Sequence, residues 1–147
     1  MNEKTLYIAY GSNLNIGQMA QRCPSAKLVG ESTIEGYRLL FRGGRERAVA
    51  TIEKQEGGKV PILIWQLEES DEEALDIYEG HPFFYRKEWM YVDVDGESMK
   101  AMVYIMNGGR VLGAPSKLYY DIILQGYKSA GFDEGILEEA LRVSTRK

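Results

Sequence analysis

Apolar and polar positions along this chain fall into short blocks, and their period changes at breaks that carry glycine. The first block, Thr5 to Tyr10, is almost all apolar and predicts a buried strand. It stops at Gly11-Ser12-Asn13. Asn15 to Cys23 has helical spacing, with Asn15 as N-cap and Pro24 as the stop. Strand patterns follow over "AKLVGESTIEG", then over Tyr37 to Phe41, then over "RAVATIEK" and "KVPILIWQL". Gly43-Gly44 marks a turn, and Gly57-Gly58 supplies hairpin chemistry between the last two strands. Pro61 points to an edge position or a bulge.

The pattern then turns helical. In "ESDEEALDIYEG", Ser70 and Glu73 make a capping box and Gly80 supplies the stop. Two alternating runs, "YRKEWMYVDV" and "SMKAMVYIM", flank the hairpin turn Asp95-Gly96. "APSKLYYDIILQGYKSAGF" predicts a helix with Pro115 in its first turn and Gly131 after its end. A last amphipathic helix follows Asp133. The sum is about seven strands and four helices without regular βαβ alternation. The expected class is α+β: a small mixed, mostly antiparallel curved sheet or barrel with flanking helices. No repeat or linker interrupts the chain, so residues 1–147 are expected to form one domain.

Composition narrows the function classes. The hydrophobic fraction is 44% and the charged fraction 27%, as in folded soluble proteins. The longest apolar run, Val60 to Trp65, is too short to span a bilayer, so no membrane role is expected. The first residues enter a strand pattern at once, without the layout of an export signal, which points to the cytoplasm. Net charge is −4, and acidic residues elsewhere balance the basic group Arg38, Arg42, Arg45 and Arg47, so no nucleic-acid partner is expected. One cysteine, Cys23, and one histidine, His81, cannot build a His/Cys metal site, and no metal is expected.

Two stretches can carry chemistry. In "YIAYGSNLN" a strand ends in Gly-Ser-Asn and feeds a helix. Such a junction is either a structural turn or a nest of outward N–H groups suited to a carboxylate or oxyanion. In "LDIYEGHPFFYRK", Glu79 ends a helix beside Gly80. The helix end disfavours a carboxylate by only about 0.3–1 kcal/mol. A proton-transfer role near neutral pH therefore needs burial among Tyr78, Phe83, Phe84 and Tyr85 as well; the other reading is a solvent-facing glutamate. No phosphate loop and no G-x-S-x-G elbow occurs, so no nucleotide cofactor is expected. Cys23 reads as a buried structural thiol rather than half of a Cys23–His81 pair, and Asn13 as a residue that bonds its own loop.

Taken in order, "YIAYGSNLN…M..RCPSA", "GYRLLF", "AVATI", "ILIWQL" and "LDIYEG…FYRK" resemble the gamma-glutamylcyclotransferase family, which includes AIG2-like and butirosin-pathway cyclotransferases. The resemblance runs over nearly the whole chain. It implies a cofactor-independent enzyme that releases 5-oxoproline from a small-molecule γ-glutamyl substrate, with Glu79 as general acid/base. It implies a substrate cradle on Tyr7, Ile8, Ala9, Tyr10, Gly11 and Ser12, and pocket tyrosines at Tyr85, Tyr104 and Tyr119. The alignment stays open by one between Tyr119 and Tyr120. The alternative is a non-catalytic module on the same fold that binds a small carboxylate or a partner. The leaving amine and the assembly state, a homodimer included, stay open.

Overall fold

The computed structural model describes residues 4–146. Along the chain run β1 (Thr5–Ala9), a 3-10 turn (Ser12–Leu14), α1 (Ile16–Arg22), β2 (Lys27–Arg42), β3 (Val49–Leu67) and α2 (Glu69–Glu79). The hairpin β4 (Tyr85–Val94) and β5 (Glu97–Met106) follows, then α3 (Lys117–Ala130) and α4 (Glu134–Ser144). The five strands form one sheet in the order β2-β3-β1-β5-β4. Every pairing is antiparallel except β1 with β5. The short β1 thus lies at the centre, and Tyr7, Ile8 and Ala9 are buried.

The class is the expected one, a mixed and mostly antiparallel curved sheet with flanking helices. The barrel half of the expectation is corrected. The sheet curls until its edges meet: Ser32 Oγ donates to the Asp93 carbonyl at 2.5 Å, and Gly30 packs against Val94. Yet no backbone ladder joins β2 to β4 among the described residues, so the sheet does not close.

The expected seven strands are five because two pairs merge. β2 contains both "AKLVGESTIEG" positions and "YRLLF", and β3 runs through Gly57-Gly58 without a hairpin. Glu35 pairs with Lys59 and Tyr37 with Lys54, so residues 55–58 bulge opposite Gly36 alone. Gly36 and Gly57 take φ of +82° and +78°. A Cβ on Gly58 would stand 2.2 Å from the Tyr37 carbonyl oxygen. Glycine here bends a paired ribbon and does not end it. Pro61 sits in β3 just past Leu63, the last partner of β1, where an absent N–H costs no ladder bond on that side.

Helix ends follow local chemistry with two shifts. Asn15, Asp133 and Ser116 cap their helices by accepting from Gln18, Gly135 and Tyr119 N–H groups. Pro115 therefore precedes the cap of α3 and does not enter its first turn. The cap of α2 is Glu68, whose N–H donates to the buried Asp71 at 2.9 Å, so Ser70 lies inside the helix. Gly80 and Gly131 end α2 and α3 in left-handed conformation, as expected. Asp95 and Gly96 both have positive φ, the conformation of a tight hairpin turn. No helix among the described residues is long and apolar enough to cross a membrane.

One contact positions the rest. α3 lies against the 3-10 turn so closely that a Cβ on Gly126 would stand 2.8 Å from Leu14 backbone and side chain and 3.0 Å from Asn15 N. Asn15 Nδ2 donates to the Ile122 carbonyl at 3.1 Å and to Gln125 Oε1 at 3.0 Å. Helix propensity alone favours alanine over glycine by about 1 kcal/mol. The packing contact opposes it, because the obstruction is backbone rather than a flexible side-chain end. Gly126→Ala is expected to destabilise the protein by about 1–3 kcal/mol in urea unfolding, against the sign of propensity.

Candidate functional site

Where β1 ends, a cavity of about 470 Å³ opens, within the size range of small-molecule sites. One wall is Tyr7, Ile8, Tyr10 and the turn Gly11-Ser12-Asn13. The end of α2 supplies Ile77, Tyr78, Glu79 and Gly80. Phe84, Tyr85, Tyr104 and Tyr119 close it from β4, β5 and α3, and Val49 and Ala50 from β3. Tyr7, Ile8, Tyr10, Gly11, Ser12, Glu79, Tyr85, Tyr104 and Tyr119 thus meet in one place although they span more than a hundred positions. Ala9 does not line the cavity: it is buried and pairs with Leu63. Both rings pack on Phe41, at 6.5 and 6.2 Å between ring centres, and Tyr119, whose Oη accepts from the Ala50 N–H, is the one that lines the cavity. Cys23 and His81 are not among the lining residues.

The tyrosine hydroxyls are tied to fixed partners. Tyr10 donates to the Tyr104 carbonyl and Tyr85 to the Ala50 carbonyl, each at 2.6 Å. The Ala50 N–H donates to Tyr119 Oη at 3.0 Å. Tyr104 donates to Asp76 Oδ1 at 2.5 Å, and Lys87 holds the same oxygen at 2.9 Å. Such bonds lock the rings and fix the shape of an aromatic cavity before anything enters it.

Glu79 is the one acidic group in the lining. Burial pushes its carboxyl from the ordinary 4.5 up to about 7, and the Arg22 charge pulls the other way. By surface area Glu79 is only half-buried. The densely packed surroundings govern its proton affinity, because the surface it keeps belongs to a cavity walled by tyrosines. A carboxyl near 7 exchanges its proton readily in either direction at neutral pH.

Across the cavity, the N–H groups of Gly11, Ser12 and Asn13 donate to no acceptor among the described residues. The first N–H groups of a helical turn have no upstream carbonyl to meet. Gly11 keeps the approach open: a Cβ there would stand 3.2 Å from Ala50 Cβ and 3.7 Å from Tyr119 Oη. The site therefore offers free donors for an oxyanion or carboxylate and one proton carrier. Among the described residues no three His, Cys, Asp or Glu side chains group as a metal would need.

Three features lay beyond the sequence reasoning. Asn13 does not bond its own loop: its Nδ2 donates to Tyr7 Oη at 2.9 Å, and its Oδ1 accepts from Arg22 Nη1 at 2.6 Å. Arg22 stacks over the Tyr78 ring at 3.7 Å. Val49 and Ala50 reach the cavity from the start of β3, and the resemblance that covers "AVATI" gives them no site role.

Residues 7–125 match the family model described as gamma-glutamyl cyclotransferase, AIG2-like. The gamma-glutamylcyclotransferase of Homo sapiens is 29% identical over 143 residues, covering 88% of this chain and 73% of that protein. The Bos taurus gamma-glutamylcyclotransferase is 28% identical over the same length. A solved gamma-glutamyl cyclotransferase superposes with a TM-score of 0.82 at 26% identity, over 94% of this chain and 86% of that one.

The raised carboxyl has a thermodynamic signature. Stability linked to Glu79 is fully present below pH 4.5 and is lost as pH rises to about 7. That gap amounts to on the order of 3 kcal/mol. Urea unfolding at pH 5 and pH 8 should show Glu79→Gln losing less stability than wild type across this interval.

Proposed function

The chain belongs to the AIG2-like gamma-glutamyl cyclotransferase family, and from that premise we propose that it releases 5-oxoproline from γ-glutamyl amino acids or γ-glutamyl-amines with Glu79 as the proton carrier. The observation that carries this reading is a carboxyl held near pH 7 in the same cavity as a row of free backbone N–H groups.

The substrate's α-ammonium gives a proton to the Glu79 carboxylate. The freed amine attacks its own γ-carbonyl carbon, a C–N bond forms, and negative charge gathers on the carbonyl oxygen. The N–H groups of Gly11, Ser12 and Asn13 stabilise that oxyanion or grip the α-carboxylate. The bond to the leaving amine then breaks as Glu79 returns the proton to its nitrogen, and the carboxylate so regenerated takes the second proton from the ring nitrogen, which leaves a neutral lactam. The step is redox-neutral: two protons leave the α-nitrogen in turn, one ends on the leaving amine and the second passes through Glu79 to that amine or to water, transfers that a single carboxylate can make one after the other.

Shape supplies much of the rate. Well-oriented ring closures reach effective molarities of about 10⁵–10⁸ M. Tyr7, Tyr10, Tyr85, Tyr104 and Tyr119 line a cavity suited to holding the γ-glutamyl chain folded; Tyr10, Tyr85 and Tyr104 donate to fixed acceptors, while Tyr7 and Tyr119 accept from Asn13 and the Ala50 N–H. Incubation with a panel of γ-glutamyl amino acids and γ-glutamyl-amines should yield 5-oxoproline; no product from any of them would overturn the reading. Glu79→Gln should lower kcat by about 10²–10⁴-fold with the fold intact. In wild type, kcat/KM should fall as pH drops through about 7, because the base must be ionised to accept the first proton.

A further inference from the structure

Arg22 is the last residue of α1 and touches both halves of the site. Its Nη1 donates at 2.6 Å to Asn13, which belongs to the turn with the free N–H groups. Its guanidinium also lies 3.7 Å from the centre of the Tyr78 ring, the residue before Glu79. Each contact continues inward. Asn13 donates on to Tyr7 Oη at 2.9 Å, and the Tyr78 hydroxyl is 3.3 Å from Ser12 Oγ. Arg22 enters no ion pair among the described residues, so its charge is not spent on a neighbouring carboxylate.

We propose that Arg22 is a positioning residue of the site, a planar cation that fastens the Gly11–Asn13 turn to the helix end that carries Glu79. Arginine suits the task because its face stacks on a ring while its edge donates in plane. Lysine offers a point charge and cannot hold both contacts in one geometry.

The same cation acts on Glu79 across the gap, opposing the upward push of burial. From the other elements Glu79 faces Tyr7, Tyr10, Tyr85, Tyr104 and Tyr119, whose phenols burial drives upward, far from the neutral range. These stay uncharged while Glu79 titrates. Asp76 and Lys87 lie beyond Tyr104 and pair with each other. Arg22 therefore both aligns the two halves and lowers the pH at which the carboxylate becomes available.

This inference rests on Glu79 as the proton carrier, and its test reads that separately. Arg22→Gln removes charge and geometry; Arg22→Lys keeps charge alone. Two quantities are followed from about pH 5 to 9: the carboxyl ¹³C shift of Glu79, assigned by its loss in Glu79→Gln, and kcat/KM for 5-oxoproline release. In Arg22→Gln the titration midpoint should move above the wild-type value of about 7, with kcat/KM at neutral pH about tenfold or more lower and partly recovered at alkaline pH. In Arg22→Lys the midpoint should stay near the wild-type value while kcat falls about tenfold across the whole range. An unmoved midpoint in a folded Arg22→Gln, or a loss of activity in both variants that merely follows the unfolded fraction in urea, would overturn the proposal. Should Arg22→Gln not fold, wild-type kcat in folded Arg22→Lys would overturn it equally. Absence of 5-oxoproline with wild type would remove the proposed reaction but leave the ¹³C midpoints to decide the role of Arg22.

Discussion

A carboxyl withdrawn from water is destabilised in its ionised form, and the cavity is organised around that penalty. Glu79 ends α2, where the helix dipole adds a little in the same direction. Among its neighbours Tyr10 and Tyr85 donate their hydroxyl protons to backbone carbonyls, so these two phenols do little to solvate it. Arg22 offsets part of the penalty without contacting the carboxylate as an ion pair would. The result is a group with comparable amounts of both protonation states near neutrality. A direct ion pair would have held it ionised and useless as an acid.

The opposite wall depends on geometry rather than charge. Free N–H groups are useful only if the turn that presents them cannot relax toward other acceptors. Gly126 lets α3 press onto Leu14, and Asn15 is bonded to α3 on one side while it caps α1 on the other. The turn is thereby gripped by two helices and by β1. Packing does here what a second set of hydrogen bonds would do elsewhere, and it leaves the N–H groups of the cavity-lining turn without a backbone acceptor among the described residues.

Legibility in the sequence followed the range of each interaction. Local chemistry read correctly: Asn15 and Asp133 as caps, Gly80 and Gly131 as stops, Asp95-Gly96 as a hairpin turn. The paired motifs also led to the cavity, since the turn and Glu79 each carry a local signature. Errors arose where tertiary pairing changes what a residue means. Gly57-Gly58 resembles a hairpin turn until β2 is known to run beside it, and then it is a bend. Ser70 looks like a cap, but the buried Asp71 makes Glu68 the better one. Arg22 and Ala50 fall within stretches that carry the resemblance, yet neither has a site role there, because each gains its place from segments far along the chain.

The central strand has one further consequence. β2–β3 and β4–β5 are hairpins, complete as paired ribbons without β1. β1 contributes five residues to the sheet, yet its departure would take Tyr7, Tyr10 and the whole Gly11–Asn13 turn away from Glu79. Strand content and an assembled cavity are therefore separable quantities in this molecule. A spectroscopic signal dominated by the two hairpins can survive a state in which the cavity no longer exists, so an assembled cavity reports the docking of one short segment rather than the presence of secondary structure.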